Sequence, residues 1–103
     1  MVDTLRKSSK ESTTQKYLID RVKAAGGKAE KIVGPVGTPD TLVKMPDRPA
    51  CLVEVKRRGF FPDNAQLRQG DAWEKAGLEV YWVDSKSGVD WFVDNGIANH
   101  MTT

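Results

Sequence analysis

The chain has one cysteine and one histidine among its 103 residues, and it contains no long apolar run. A single cysteine excludes an intrachain disulfide framework and a cysteine-rich zinc module. Cys51 lies in the apolar run 50–53, which is typical of a small core residue rather than a nucleophile. No segment reaches the ~20 apolar residues of a membrane helix, and the polar start lacks an apolar signal segment. We therefore expect a soluble, cytoplasmic protein with no membrane partner.

A strong excess of one charge is also missing. The 16 basic and 14 acidic residues leave a formal net charge of +2, so charge alone does not identify a nucleic-acid partner. The basic residues do form two blocks, one near the start and one after residue 55. From these blocks we take Lys10, Lys16, Arg57 and Arg58 as candidate DNA contacts, although solvated surface charge would give the same pattern.

The length fits one small domain, 1–103, and we expect its core at about 11–95, with flexible ends at 1–10 and 97–103. Leu18, Val22 and Ala25 recur at helical spacing and predict a first helix over 11–25, which Gly26-Gly27 ends. Strands are predicted at 28–33, 40–44, 50–56 and 79–84, and helices at 65–76 and from a cap at Ser87 to Asn95. This order predicts an α/β (α+β) fold with a central mixed sheet flanked by helices.

The second and third predicted strands are joined by a segment with two prolines, which favours a hairpin turn around Asp47. A hairpin symmetric about that residue sets Asp40 opposite Glu54, with Cβ atoms about 5 Å apart. Side chains alternate along a strand, so Glu54 and Lys56 share one face. Two carboxylates and an ammonium are thus predicted to meet at one end of the sheet.

Two carboxylates about 4 Å apart repel by ~4 kcal/mol at an effective dielectric constant of 20, and a bound cation removes that cost. Ligands that are all oxygen favour Mg²⁺ or Mn²⁺ over zinc. Such a cation activates water for phosphodiester hydrolysis, and a lysine can steady the attacking water or the developing charge. Taken alone, however, Glu54-Val55-Lys56 is a common pattern that also fits the solvated face of a strand.

The first helix adds one carboxylate. Its apolar stripe, continued backwards, carries Gln15 and Glu11 on the same face as Leu18. A carboxylate at the head of an inward-facing stripe is unusual, so Glu11 is a candidate fourth member of the site.

Thr38-Pro39-Asp40, followed fourteen residues later by Glu54-Val55-Lys56, resembles the PD-(D/E)XK nuclease superfamily. More narrowly, the chain from about residue 11 to 93 is similar to the virus-type replication-repair nuclease (VRR-NUC) family. The ordered motifs that carry this resemblance are Glu11-Ser12, Gln15, Gly26-Gly27, Gly37-Thr38-Pro39-Asp40, Val53-Glu54-Val55-Lys56-Arg57, Gln66, and Gly77 through Tyr81-Trp82-Val83-Asp84-Ser85.

The resemblance implies a restriction-endonuclease-like core and a role for each matching residue. Asp40 and Glu54 would hold the metal, the backbone carbonyl of Val55 would add a ligand, and Lys56 would be catalytic. The resemblance also implies that Glu11 reaches the metal directly or through water, that Gln15 is its weaker neighbour, and that Gln66 points at the site or the DNA backbone. For the two glutamines, an ordinary helix position remains an open alternative.

The chain departs from the family at two places. Members often carry an arginine directly after the motif aspartate, where this chain has Thr41, and Phe60-Phe61 follow the lysine where a more polar stretch is expected. These phenylalanines could stack on splayed bases, wedge into a DNA junction, contact a partner subunit, or simply pack in the core.

From these features we expect a Mg²⁺- or Mn²⁺-dependent endonuclease that resolves Holliday junctions as a homodimer, in a phage or bacterial cell. A small chain has room for one active site, so symmetric cutting of two strands needs a second copy. The alternatives are a flap or nicking nuclease with a single site, and a non-catalytic DNA-binding module that keeps the fold.

Overall fold

The structure is a computed structural model that describes residues 9–96 and 98–100. The side chain of Lys10, one of the candidate DNA contacts, lies outside the described part of the chain. In chain order the elements are α1 (Ser9–Ala24), β1 (Lys28–Lys31), β2 (Thr41–Lys44), β3 (Cys51–Val55), α2 (Asn64–Lys75), β4 (Val80–Val83), α3 (Lys86–Asn95) and β5 (Asn99–His100).

The strands form one mixed sheet in the order β1-β2-β3-β4-β5. The first three strands are antiparallel neighbours, β4 pairs parallel with β3, and β5 pairs antiparallel with β4. A parallel pair needs a crossover, which α2 supplies between β3 and β4. The carboxyl ends of β3 and β4 therefore lie side by side at one edge of the sheet.

Helices cover both faces of this sheet. On one face α1 and α3 bury Leu18, Val22 and Phe92 against strand residues that include Val53 and Val55. The other face carries the smaller cluster, in which Leu67 of α2 packs with Leu52 and Val80. The predicted mixed sheet flanked by helices is confirmed.

The predicted hairpin register is also confirmed: Leu42 lies opposite Leu52, and Thr41 lies opposite Val53. Because side chains alternate along a strand, Val53 and Val55 enter the core beneath α1, whereas Glu54 lies on the face that α2 covers. The hairpin thus directs Val55 to the α1 side of the sheet, and Glu54 and Lys56, which both contact Gln66 of α2, to the other side.

Several predicted boundaries are wrong. Helix α1 begins at Ser9, within the segment 1–10 that was predicted to be flexible. The first strand ends at Lys31, before the turn-rich Gly34-Pro35 segment. The third helix is capped by Ser85, whose side chain accepts a hydrogen bond from Gly88 N, so it starts before the predicted cap at Ser87. The tail after residue 96 was expected to be frayed, but β5 pairs with β4 within it, and the predicted flexible residues 1–8, 97 and 101–103 lie outside the described residues.

Helix α2 packs on the sheet through Leu67, which joins the smaller cluster, and it buries Gly70, while Trp73 is 39% exposed. A glycine in a helix interior costs about 1 kcal/mol relative to alanine. Within the part of the chain that the structure describes, no helix has the length and apolar character needed to cross a membrane.

Cys51 is buried in the core, as its sequence context predicts. Burial raises the pKa of the Cys51 thiol from about 9 to about 12, and the nearby Glu79 adds to the shift. The folded chain therefore keeps this proton at pH values where the unfolded chain loses it. Its contribution to stability is unchanged below pH 9 and is lost as the pH rises towards 12.

We expect the free energy of unfolding to fall more steeply above pH 9 in the natural chain than in a Cys51→Ala variant. The difference in slope is at most about 1.4 kcal/mol per pH unit, which is one titrating proton. Urea unfolding across the alkaline range measures it. Tyr81, whose pKa burial and Glu79 also raise to about 12, titrates in both proteins. Because Cys51 adds to that shift, the Tyr81 contribution to the slope is also smaller in the variant, which acts in the same direction. Parallel slopes in the two proteins would contradict the prediction.

Candidate active site

The predicted catalytic residues meet at the carboxyl end of β3. Asp40 directly precedes β2, Glu54 and Val55 end β3, and Lys56 follows them. The loop that leads to Asp40 packs closely on the first turn of α2, because a Cβ at Gly37 would lie 2.5 Å from the Ala65 carbonyl oxygen. Gly37 also has a φ of +90°, so only glycine fits there without strain.

Both carboxylate oxygens of Asp40 accept from the backbone N–H of Val55, at 3.3 and 3.1 Å. Thr41, the first residue of β2, pairs with Val53 and ends the ladder between β2 and β3. The Asp40 side chain, one residue earlier, accepts its hydrogen bond from a backbone N–H beyond that end. The Thr41 hydroxyl donates to Asp40 Oδ1 at 2.8 Å. The Asp40 carboxylate is thus hydrogen-bonded both to the Glu-x-Lys segment and to its own neighbour Thr41.

Gln15 extends this arrangement from α1. Its Nε2 donates to Thr41 Oγ1 at 2.9 Å and to the Asp40 carbonyl oxygen at 3.2 Å. Both Gln15 and Thr41 are buried. Gln15, the weaker candidate on α1, therefore contacts Thr41, which hydrogen-bonds to the Asp40 carboxylate.

Gln66 joins the other two members of the motif. Its Nε2 donates to Glu54 Oε2 at 3.0 Å, and its Oε1 accepts from Lys56 Nζ at 3.1 Å. Glu54 is only 6% exposed, so this donor compensates a carboxylate that is largely removed from water. One side-chain amide links the acid and the lysine.

The same glutamine is fixed by the start of α2. Asp63 and Gln66 form a capping box, in which Gln66 N donates to Asp63 Oδ1 and Asp63 N donates to Gln66 Oε1, both at 2.9 Å. The local fold of the helix entry therefore sets the orientation of the amide that contacts Glu54 and Lys56.

Glu11 also reaches this end of β3. Its Oε2 accepts from the backbone N–H of Arg57 at 3.0 Å, one residue beyond Lys56. The Glu11 carboxylate, which the helical spacing selected, therefore lies beside the segment that carries the Glu54-Val55-Lys56 motif. Its role as a metal ligand stays a prediction.

The candidate DNA contacts differ in their surroundings. Arg57 and Arg58 are exposed on the loop after Lys56, and Arg58 lines a cleft of about 420 Å³ with Lys86 and Asp84. Lys16 is exposed on α1, where Nζ forms an ion pair with Asp20 at 2.7 Å.

The phenylalanines of the same loop do not pack in the core: Phe60 is 53% exposed and Phe61 is 73% exposed. Core packing, one of the sequence alternatives, is therefore wrong for both.

The donor set suits a hard divalent cation. Across residues 9–96 and 98–100, no three side chains of the His, Cys, Asp and Glu types form a metal-ligand group. Mg²⁺, however, commonly binds proteins through one or two carboxylates and completes its shell with water and substrate phosphate. Asp40 and Glu54 supply two carboxylates, and the Val55 carbonyl lies between Glu54 and Lys56. These residues fit Mg²⁺ or Mn²⁺ without further protein ligands.

Sequence reasoning missed two contributions. Thr41 counted only as a departure from the family, although its hydroxyl contacts Asp40 directly. The capping role of Gln66 was also missed, although Asp63 followed three residues later by glutamine is a readable capping-box signal. No pattern in the sequence predicted the role of Thr41, because its hydrogen bond with Gln15 joins β2 to α1, which is distant in sequence.

Comparison with known proteins agrees with this geometry. No family model matches the chain. The chain is 35% identical over 79 residues to a protein named "Putative nuclease p44" from Acyrthosiphon pisum secondary endosymbiont phage 1, a match that covers 75% of this chain and 85% of that protein. A solved structure described as a VRR_NUC domain is 34% identical, with a TM-score of 0.77 over 87% of this chain and the whole of that one.

The fold and the site together define a nuclease-type α+β domain with a restriction-endonuclease-like core. The chain belongs to the virus-type replication-repair nuclease family.

The Gln15, Thr41 and Asp40 contacts predict a measurable coupling. Thr41→Val keeps the shape but removes the hydroxyl, leaving a buried amide donor of Gln15 with a poorer partner, which costs about 1–3 kcal/mol. Urea unfolding of Gln15→Leu, Thr41→Val and the double variant measures the coupling. We expect the double variant to lose at least about 0.5 kcal/mol less than the sum of the single losses.

Thr41→Ser is the matched control, because it keeps the hydroxyl that contacts both partners. Strictly additive losses in the cycle would show that the two side chains do not act together.

Proposed function

We propose that the chain is a Mg²⁺- or Mn²⁺-dependent endonuclease that hydrolyses phosphodiester bonds in branched DNA. The observation that carries the proposal is the single Gln66 amide that joins Glu54 to Lys56, next to an Asp40 carboxylate bonded to the residue between them. Membership of a nuclease family and the name of the phage relative support it.

In this proposal Asp40, Glu54 and the Val55 carbonyl hold the metal ion. When bound, the ion supplies Lewis-acid polarisation of the phosphate and a more acidic water. Glu11 joins the site from α1, directly or through water.

The protein's own contribution is to position charge before the substrate arrives. Gln66 holds the Lys56 ammonium near Glu54, where it can orient the attacking water or stabilise the charge that develops on the phosphate. Thr41 and Val55 N–H fix the Asp40 carboxylate. Because these donors are already in place, the site needs little reorganisation during the reaction.

The DNA backbone would reach the site past exposed basic side chains. Arg57 and Arg58 follow Lys56 directly, and the cleft beside Arg58 also carries the ammonium of Lys86 and the hydroxyls of Ser85 and Ser87. Arginine, lysine and hydroxyl side chains are the usual partners of phosphate oxygens. Their position at the same edge of the sheet as Lys56 supports a DNA path across this edge.

We expect Asp40→Asn, Glu54→Gln and Lys56→Ala each to lower divalent-metal-dependent cleavage of a synthetic four-way junction by at least about 100-fold. Two variants serve as controls, because they make the same kinds of substitution at exposed positions: Asp47→Asn in the hairpin turn and Lys28→Ala on the edge strand. Both should cleave normally. Circular dichroism checks that every variant folds. Undiminished cleavage by Asp40→Asn or Lys56→Ala would assign the activity elsewhere and favour a non-catalytic DNA-binding module.

For junction resolution we further propose a homodimer that provides two equivalent sites. A four-way junction offers two strands related by two-fold symmetry, which a two-fold protein can cut alike. The phage origin of the relative is in line with recombination or the clearing of branched DNA inside an infected cell.

The substrate test compares four-way junction, flap and linear duplex DNA, each with Mg²⁺, with Mn²⁺ and with chelator. We expect paired, symmetric nicks in the junction and a dimer mass in solution. Cleavage confined to flaps by a monomer would replace resolution with a flap or nicking activity that uses one site.

A further inference from the structure

The loop that follows Lys56 carries a feature that the proposed catalysis does not use. Phe60 and Phe61 expose 53% and 73% of their surface, beside the exposed Arg57 and Arg58. Adjacent large apolar side chains at a surface, bordered by polar residues, often mark a contact site.

Hydrogen bonds hold the base of this loop in place. Arg57 N donates to Glu11 at 3.0 Å, and Gly59 N donates to Asp84 Oδ2 at 3.3 Å. Phe60 N closes a turn onto the Arg57 carbonyl oxygen at 2.9 Å. The loop therefore presents its aromatic rings from a fixed base at the active-site end of the sheet.

Each of the two rings makes a defined contact with a neighbouring side chain. The Arg57 guanidinium lies 5.3 Å from the centroid of the Phe60 ring, as in a cation–π pair. Phe61 meets Trp82 edge to face, with centroids 5.6 Å apart and an interplanar angle of 73°. The edge-to-face contact supports Phe61 from one side and leaves most of its surface open.

We propose that Phe60 and Phe61 form a stacking platform for an unpaired nucleobase of the DNA substrate, with Arg57 and Arg58 on the adjoining phosphates. Every base has a π-face that an aromatic ring can stack on, and the combination of aromatic and basic side chains is typical of single-strand recognition. The inference rests on the proposed function for its ligand, because it assigns the DNA feature that this site would select.

The charges beside the rings favour DNA over a second copy of the chain. In a two-fold contact through this loop, each copy would present the same surface, so the arginines of one would approach those of the other. Like charges brought together in this way oppose association. Phosphates flanking an unpaired base instead complement Arg57 and Arg58.

The test measures binding in EDTA, so that cleavage does not enter. The probes are a fully paired duplex, the same duplex with a short unpaired thymine segment, and that probe with abasic sites in place of the thymines. We expect Phe61→Ala to weaken binding of the thymine probe roughly ten-fold and binding of the duplex by less than about two-fold. Phe60→Ala should act in the same direction.

The abasic probe isolates stacking from phosphate contacts. The natural chain and Phe61→Ala should bind it equally, and Phe61→Tyr should restore the preference for the thymine probe. Trp73→Ala is the matched control, because this exposed aromatic lies on the far turns of α2, away from the loop, and its loss should leave all three affinities unchanged.

Three outcomes would overturn the inference. Phe61→Ala could weaken all probes equally, the natural chain could bind thymine and abasic probes alike, or the Phe variants could convert a dimer to a monomer without changing base dependence. Base-dependent binding by a chain that cleaves nothing in Mg²⁺ or Mn²⁺ would refute the nuclease and keep the platform. Normal cleavage without base-dependent binding would keep the nuclease and refute the platform.

Discussion

The register of β2 against β3 is the constraint on which the site depends. Thr41 lies opposite Val53, and this pairing brings Asp40 to the backbone N–H of Val55. A slip of one residue would turn every side chain of a strand to the other face, exposing the valines of the core and burying Glu54 among them. Because the core and the candidate site require the same register, packing of apolar side chains also aligns the candidate catalytic ones.

The buried carboxylate of Glu54 is the second constraint. Removing a charge from water is costly unless it is paired and hydrogen-bonded, and here α2 provides the Gln66 amide while Lys56 is linked to the same amide. Gln66 is held in turn by the Asp63 capping box. The helix start and the two charged side chains are therefore joined through one glutamine.

The sequence predicted those parts of the fold that depend on local pattern. Alternation and the two-proline turn were enough to predict the hairpin pairing, and helical spacing alone was enough to select Glu11, which reaches the carboxyl end of β3. Prediction failed where the outcome depends on a distant partner. The β5 strand, for example, forms because β4 is available to pair with it.

The site could be predicted as a set of residues but not as a network. The spacing was enough to predict that Asp40, Glu54 and Lys56 lie close together, because all three lie on one hairpin or directly beside it. It could not show that Gln66 joins Glu54 to Lys56 or that Thr41 joins Asp40 to Gln15, because these contacts depend on how α1 and α2 approach the hairpin and on side-chain rotamers.

The same distinction explains the Phe60-Phe61 loop. Hydrophobic residues after a strand most often enter the core, and burial was therefore a reasonable alternative. The loop instead hydrogen-bonds its backbone to Glu11 and Asp84, which holds its base at the carboxyl ends of β3 and β4. These backbone contacts hold the loop with both rings exposed beside the candidate active site. The Glu11 carboxylate thus belongs both to the candidate site and to the hydrogen bonds that hold the aromatic loop.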